Sequence, residues 1–401
     1  MELLAPAGDM ERLEFALRYG ADAVYLAGQR YGMRASPGNF DETGLRQAVQ
    51  MAHGCGVRVY LACNSILRNA DVEALPAFLE FAQEIGIDAL ILADLGAFAL
   101  AKKYAPRVAR HVSTQAGVLN TQAARAWYDL GAKRVVLARE MRLNEIADLR
   151  ANVSRELEIE VFVHGAMCVS FSGRCLLSQY LTGRDANQGD CAQPCRWKYQ
   201  LTEEHRPGEQ MEILSGSGGT HIMNARDLCM IDYLPELHSA GVNSLKIEGR
   251  AKSFYYAAVV TNAYRKAVDA AQASIPLDSI WRDEVEKVSH RAYETGFFYD
   301  TDRSGGGQYT QDALYIRKCE VVGVVESCNA DGLAHVSQRN RFFIGDTLEL
   351  LTPNDKPQSF VVTELFDEHG RAIESAPHPK MGLRLQLPQA AERHAILRKN
   401  I

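Results

Sequence analysis

The sequence predicts an α/β fold: a (β/α)8 TIM-like barrel with a cysteine-rich insertion between strands 7 and 8, followed by a small C-terminal β-barrel domain. Two patterns predict it. Over the first 165 residues, short apolar runs alternate with segments whose apolar residues recur near helical spacing. Beyond residue 300 the period changes to the alternation typical of antiparallel strands.

The eight strands read in order as 3–5, 24–27, 57–62, 89–93, 110–115, 135–138, 159–163 and 244–248. Segments 10–19, 45–53, 72–85 and 121–130 read as helices between them. Four helix-to-strand joints look alike: YGADAVYLAG, IGIDALILAD, LGAKRVVLAR and AGVNSLKIEG. They put Gly20, Gly86, Gly131 and Gly241 at helix ends, where a left-handed backbone is needed. Strands joined right-handedly through helices form a parallel sheet. Eight such units within residues 1–270 suit a closed barrel, usually about 250 residues, better than the competing doubly wound sheet. Residues 271–311 are expected to be a helical connector, and 312–401 an antiparallel β domain with turns at 329–332, 353–356 and 367–370.

Composition excludes several classes. With 47% hydrophobic and 23% charged residues the chain is neither disordered nor collagen-like. A net charge of -6, from 44 basic and 50 acidic residues, excludes a polycation, so any nucleic-acid contact must be a local patch. The start MELLAPAGDM has no basic leader, and the most apolar stretch, 85–100, is interrupted by Asp88 and Asp94. Neither a signal peptide nor a membrane span is expected, and a cytoplasmic location follows. Nine cysteines are too few for a disulfide scaffold, and five crowd between Cys168 and Cys229, which points to a metal or redox cluster.

Barrel chemistry sits where strands end, and these strands end in Asn64, Asp94, Gln115, Arg139, Glu140, His164, Lys246, Glu248 and Arg250. The insertion, 166–240, is far longer than an ordinary loop and is expected to be the working part. Its cysteines run Cys168-x6-Cys175-x15-Cys191-x3-Cys195-x33-Cys229. Four thiolates suit zinc or an iron–sulfur cluster, and the irregular spacing without a C-x2-C pair leans toward the cluster. Cys168, Cys175 and Cys191 lie among glycines and short polar residues. The fourth position is open between Cys195 and Cys229, the latter at what reads as the start of a helix capped by Asn224. Arg174, Arg184, Arg196 and Lys198 interleave with Tyr180, Trp197 and Tyr199, a mixture that can hold phosphates and stack a base, or simply form a solvated loop. Asp185 and Asn187 read as loop-forming, and Cys319 and Cys328 as packed residues. Neither HExxH nor GxSxG occurs, and His164 with Cys168 is the one pair that could suggest an activated nucleophile.

At MELLAPAG, GADAVYLAG, SLKIEGR and above all HGAMCVSFSGRCLLSQYLTGRDANQGDCAQPCRWKY, the chain resembles the collagenase-like peptidases, the U-thirty-two group, and within it the tRNA hydroxylation subgroup. The resemblance covers nearly the whole chain. It implies an oxygen-independent, prephenate-dependent hydroxylase that converts the wobble uridine in the anticodon loop of tRNA to 5-hydroxyuridine; relatives act on ribosomal RNA or on quinone precursors. It implies a 4Fe-4S cluster, carried here to Cys168, Cys175, Cys191 and Cys195 with Cys229 as alternative. His164, Arg174 and Glu248 are the candidate catalytic residues, and Arg139, Lys246, Arg250, Tyr180, Trp197 and Tyr199 the candidate substrate contacts. Proteolysis, as the family's older name suggests, and a non-catalytic scaffold are the competing readings.

Overall fold

The protein is described by a computed structural model over residues 1–33, 38–168, 170–197, 226–299 and 315–401. Its strands are β1 (Glu2–Pro6), β2 (Ala23–Leu26), β3 (Arg58–Cys63), β4 (Ala89–Leu92), β5 (Ala109–Val112), β6 (Arg134–Val136), β7 (Glu158–Ala166), the short β8 (Asp227–Cys229) within the insertion, and β9 (Ser244–Ile247). All except β8 run parallel, and β9 pairs with both β7 and β1, which closes the expected eight-stranded barrel.

Outside it lie α1 (Met10–Arg18), α2 (Glu42–Gly54), α3 (Asn69–Glu84), α4 (Leu95–Tyr104), α5 (Thr121–Leu130) and α6 (Leu143–Ala151). Then follow α7 (Leu177–Thr182) and α8 (Leu234–Ser239), and after β9 come α9 (Phe254–Ala273) and α10 (Ser279–Val285). Asp9, Asp41, Asp94 and Asn120 start four of these helices, each accepting a bond from a backbone N–H in the first turn. Gly20, Gly86, Gly131 and Gly241 have φ of 102°, 87°, 103° and 79°, the left-handed geometry expected at the joints.

Alternation along the strands sorts the residues. Leu3, Val24, Leu61, Leu90, Val135, Val161 and Leu245 face the helices, while Leu4, Ala23, Tyr25, Tyr60, Ala89 and Ile91 fill the barrel. Charged residues share that interior. Arg134, 2% exposed, reaches Glu2 at 2.6 Å, Glu158 at 2.6 Å and Glu160 at 2.9 Å, and Lys246 reaches Glu160 at 2.8 Å. Tyr60 and Ser244 donate to Glu2 at 2.7 and 2.8 Å. Buried charges persist only when paired in this way. Burial works to raise the Glu2 carboxyl, but the Arg134 guanidinium, the Tyr60 hydroxyl and Arg58 together outweigh it and hold the group below its ordinary value. Its stabilising effect is therefore full above the usual carboxylate range and is lost as pH falls through the lowered folded value.

Two expectations differ from the structure. Cys229 does not begin a helix: β8 pairs antiparallel with β7, placing Cys229 opposite His164. The buried Asp227 carboxylate accepts from Arg291 at 2.8 and 3.0 Å and from its backbone N–H at 3.2 Å, which pins the chain in an extended path. Helix α8 begins only at Leu234, and Asn224 lies outside the described residues. Within 271–311, the described part holds α10 and then β10 (Tyr293–Glu294), which returns to pair with β8 instead of continuing as helix.

The C-terminal part has seven antiparallel strands, from Cys319–Cys328 to Ile396–Asn400, curled as a half-barrel around Val322, Val325, Leu348, Leu385 and Leu397. It docks on α1, α9 and α10. Arg398, fully buried, meets Glu284 of α10 at 2.6 Å, Glu349 at 2.7 Å and the Tyr255 hydroxyl of α9 at 3.0 Å, while the Tyr19 hydroxyl donates to the carbonyls of His394 and Leu351 at 3.0 and 3.2 Å. Cys319 is buried, its thiol donating to Asn400 Oδ1 at 3.0 Å, and Cys328 is half-buried. Among the described residues no helix is long and apolar enough to cross a membrane.

Replacing Arg134 with Met removes the buried guanidinium shared by Glu2 and Glu160, leaving Arg58 at the rim for Glu2 and Lys246 for Glu160. Denaturant unfolding at pH 7 is expected to show a loss of about 3–5 kcal/mol. The deficit should shrink at acid pH, where Glu2 takes up a proton.

Candidate active site at the barrel mouth

The uppermost inward residues of the barrel, Tyr25, Ala62, Ile91, Ser113, Val136, Phe162 and Lys246, form the floor of a pocket. Asn64, Gln115, Arg139, Glu140, Glu248 and Arg250 rise around it from the loops that follow the strands. The insertion covers it, and Cys168, Cys175, Cys191 and Cys195 all belong to that cover. This is the face where barrel enzymes keep their chemistry.

Short-range bonding explains how the insertion gathers these cysteines. Glu140, just past β6, accepts from the Ser172 backbone N–H at 2.7 Å and its hydroxyl at 3.0 Å, tethering the 168–175 loop to the barrel. Asn187 accepts from the Cys175 N–H at 3.3 Å and donates to its carbonyl at 3.1 Å, and the Ile66 N–H after β3 donates to the Asn187 carbonyl at 3.1 Å. The buried Ser178 hydroxyl accepts from the Ala192 N–H at 3.0 Å, joining the second pair of cysteines to the first. Asp185 accepts from the Asn187 N–H at 2.9 Å, a loop role.

The sulfurs themselves receive backbone donors. The N–H of Ser170 points at Cys168 Sγ (3.4 Å), that of Leu177 at Cys175 Sγ (3.3 Å) and that of Gln193 at Cys191 Sγ (3.4 Å). Each donor lies two residues beyond its cysteine, and such bonds stabilise negative charge on sulfur. Burial raises the Cys195 thiol, and Cys168, Cys191 and Cys175 raise it further against the pull of Arg196. They are not drawn to the spacing of a single-ion site: among the described residues no three His, Cys, Asp or Glu side chains are arranged to hold one metal ion.

Cys229 stands elsewhere. It is buried on the helix side of the sheet, its sulfur accepting from Arg282 at 3.3 Å, and burial pushes its thiol up to about 11. His164 is there too. Simple alternation puts Glu160, Phe162 and His164 on one face of β7, but a bulge between Phe162 and His164 inverts the last of them. Its ring lies between the Tyr264 and Tyr293 hydroxyls at 3.3 Å each, and burial, reinforced by His290, Lys252 and Arg282, keeps it neutral by pushing it well below its ordinary value. His164 is therefore not brought to the pocket. Gly165, next in line, has φ of 103°, and a Cβ there would meet the Glu248 carbonyl at 2.5 Å.

The remaining expected residues divide. Arg139 lies 3.8 Å over the Phe162 ring, donates to the Ala166 carbonyl at 2.9 Å and stands 3.8 Å from Glu248. Lys246 sits 4.6 Å over Tyr25, Arg250 is buried and donates to the Met33 carbonyl, and Glu248 accepts from the Tyr25 hydroxyl at 3.4 Å. All four line the pocket. Arg174 does not: its extended backbone sends Cys175 inward and leaves Arg174 exposed. Asp94 is spent as the cap of α4. Tyr180 is 86% exposed on α7 and Trp197 is also exposed, both outside the pocket lining; Lys198 and Tyr199 lie outside the described residues.

Tyr25, Phe162, Ser113 and Gln193 line the pocket without having been singled out in the sequence. Tyr25 and Phe162 are apolar strand residues whose only signal is alternation, which places each at the top of the inward face.

Comparison with known proteins agrees with this architecture. The model of peptidase family U32 matches residues 8–307, and that of the peptidase family U32 C-terminal domain matches 317–398. A tRNA hydroxylation protein P of Escherichia coli is 35% identical over 439 aligned positions, covering 100% of this chain and 96% of that protein. An uncharacterized protease of Methanocaldococcus jannaschii is 36% identical, covering 100% and 99%. A 23S rRNA 5-hydroxycytidine synthase of Escherichia coli is 35% identical across 77% of this chain and 47% of its own length. Matched through barrel, insertion and half-barrel alike, the chain belongs to peptidase family U32.

Proposed function

We propose that this chain is a tRNA uridine hydroxylase, which places a hydroxyl on C5 of the wobble uridine to give 5-hydroxyuridine, with prephenate as co-substrate and a 4Fe-4S cluster on Cys168, Cys175, Cys191 and Cys195. One observation carries the reading: four free cysteines cover a pocket that, among the described residues, is lined by Arg139, Arg196, Lys246 and Arg250 against only Glu140 and Glu248. The names of relatives that hydroxylate tRNA or synthesise 5-hydroxycytidine in rRNA support it.

The donor set suits such a cluster. Thiolates are its usual ligands, and the three N–H bonds to sulfur offset the charge they carry. When bound, the cluster supplies the electron-transfer chemistry that side chains lack. The chain's own residues do the rest. Arg139, held flat on Phe162, and Arg250 offer guanidinium groups to a dicarboxylate such as prephenate, while Lys246 is anchored from below by Glu160. Glu248, beside Tyr25 and Arg139, is the carboxylate placed to accept a proton released from the ring. Glu140 is a positioning residue, committed to Ser172. An anticodon loop already exposes unpaired bases, so little energy is needed to move one into the mouth. The exposed Trp197 and Tyr180 on the insertion, with Arg184 and Arg196 nearby in sequence, are suited to stack and hold the loop. A cytoplasmic location follows from a tRNA substrate.

Proteolysis fits less well. A thiol nucleophile at Cys168 needs a base within reach, and His164 is sealed behind the sheet between two tyrosines.

Protein purified without oxygen is expected to be brown, with iron in stoichiometric amount. Cys191→Ser should bleach it, whereas Cys229→Ser should keep colour and iron within about 20% of the parent, because Cys229 lies outside the pocket. Equal bleaching by both variants counts against the assigned ligand set. Mass spectrometry of tRNA nucleosides from a strain lacking this chain should show 5-hydroxyuridine derivatives falling at least about tenfold. Unchanged levels, with no second family member present, exclude the tRNA assignment.

A further inference from the structure

The pocket is divided by charge. Arg139 leans over Phe162, and Lys246 and Arg250 rise from β9 and the loop after it. The side built from the ends of β3 and β5 is neutral, lined by Asn64, Ser113, Thr114 and Gln115. On that side the short polar groups are engaged. Asn64 accepts from the Met33 N–H at 3.2 Å and donates to Ser113 Oγ at 3.3 Å, Ser113 Oγ also accepts from the Gln115 N–H at 3.3 Å, and Thr114 Oγ1 donates to the Leu137 carbonyl at 3.0 Å.

Gln115 is the exception. Its residue is 4% exposed and lines the pocket, yet neither Nε2 nor Oε1 of its side-chain amide has a partner among the described residues. Leaving both ends of a buried amide unmatched is costly, and native structures rarely keep such a group without a use for it. The chemistry of the group says what would satisfy it. An amide presents one donor and one acceptor side by side, so its complement carries an acceptor beside a donor. A carboxylate or phosphate offers acceptors only and would face Oε1 with like charge. The lactam edge of uracil, N3–H beside a carbonyl, matches both atoms at once. Inverting the amide presents the opposite order, which matches N3 and the amino group of cytosine. Anionic ligands belong to the cationic side and a base edge to the neutral side.

We propose that Gln115 is the substrate-binding residue that pairs with the donor–acceptor edge of the target pyrimidine when it enters the pocket, and so orients its C5. The inference rests on the RNA-hydroxylation reading above and adds the part of the substrate that this side of the pocket recognises. Because the amide can invert, Gln115 reads a donor–acceptor base edge without choosing uridine over cytidine, and because purines carry such edges too, the choice among bases falls to other residues.

The test compares two RNA hairpins binding to the anaerobically purified protein, one with uridine at the target position and one abasic there. The parent should prefer the uridine hairpin by about tenfold, the value of one two-bond contact to a base. Gln115→Met, similar in length and without polar atoms, should bind both hairpins with the affinity the parent shows for the abasic one. Its melting temperature should equal or exceed the parent's, since an unmatched buried amide has been removed. Should Met be poorly tolerated, ionised Gln115→Glu keeps the shape but puts a second acceptor where the donor stood, and is expected to lose the preference as well. A variant that retains the tenfold preference overturns the proposal, as does a parent that binds both hairpins equally. A parent that binds neither hairpin overturns the RNA reading itself, and a Gln115→Met variant weakened only toward prephenate reassigns the residue to the acid.

Discussion

Closure of the barrel depends on β7 pairing with β9 although the long insertion, with four cysteines in its loops and a fifth on β8, comes between them in the chain. Parallel neighbours can be separated by any length of chain provided that the two strands return in register. Glu160 opposite Ser244 and Phe162 opposite Lys246 keep that register, and the ion cluster of Arg134, Glu2, Glu160 and Lys246 lies directly on it. The bulge above Phe162 then does two things: it frees the chain to leave toward the insertion, and it turns His164 out of the barrel. The cysteines reach the mouth because the strand that precedes them is held so firmly below.

The site is accordingly made of two sorts of element. Strand residues form the floor, where packing leaves each side chain one direction. The cover is loop, and it holds its shape by local hydrogen bonds from Glu140, Asn187 and Ser178 to backbone groups. Left-handed residues at Ser172 and Gln193 mark where the chain turns sharply to bring successive cysteines to one side. Carboxylate, amide and hydroxyl thus perform the ordering that a hydrophobic core performs elsewhere, in a segment that leaves Phe171, Leu176, Tyr180 and Leu181 exposed.

The barrel was legible in the sequence because period and punctuation agree: apolar runs, helical spacing and the glycines at 20, 86, 131 and 241 point to the same unit. The polar strand ends were legible for the same reason, and Arg139, Lys246, Glu248 and Arg250 reach the pocket. What counting along the chain could not reveal was a change of parity. His164 and Cys229 look well placed in one dimension, but a single bulge and a single buried Asp227–Arg291 pair put both on the far side of the sheet. Arg174 illustrates the same point in a loop, where neighbours of an inward cysteine point outward. Gln115 was visible only as one polar strand end among several; its unmatched amide becomes apparent when its surroundings are known.

The seam between barrel and half-barrel bears on how a long substrate could be handled. A guanidinium with no exposed surface, shared by two carboxylates and a phenol from both parts, cannot be pulled open without stranding charge away from water. The sheet is thereby fastened to the barrel as a rigid shoulder and not hung from it as an arm. Any polymer resting on that shoulder would therefore meet the mouth at one set distance.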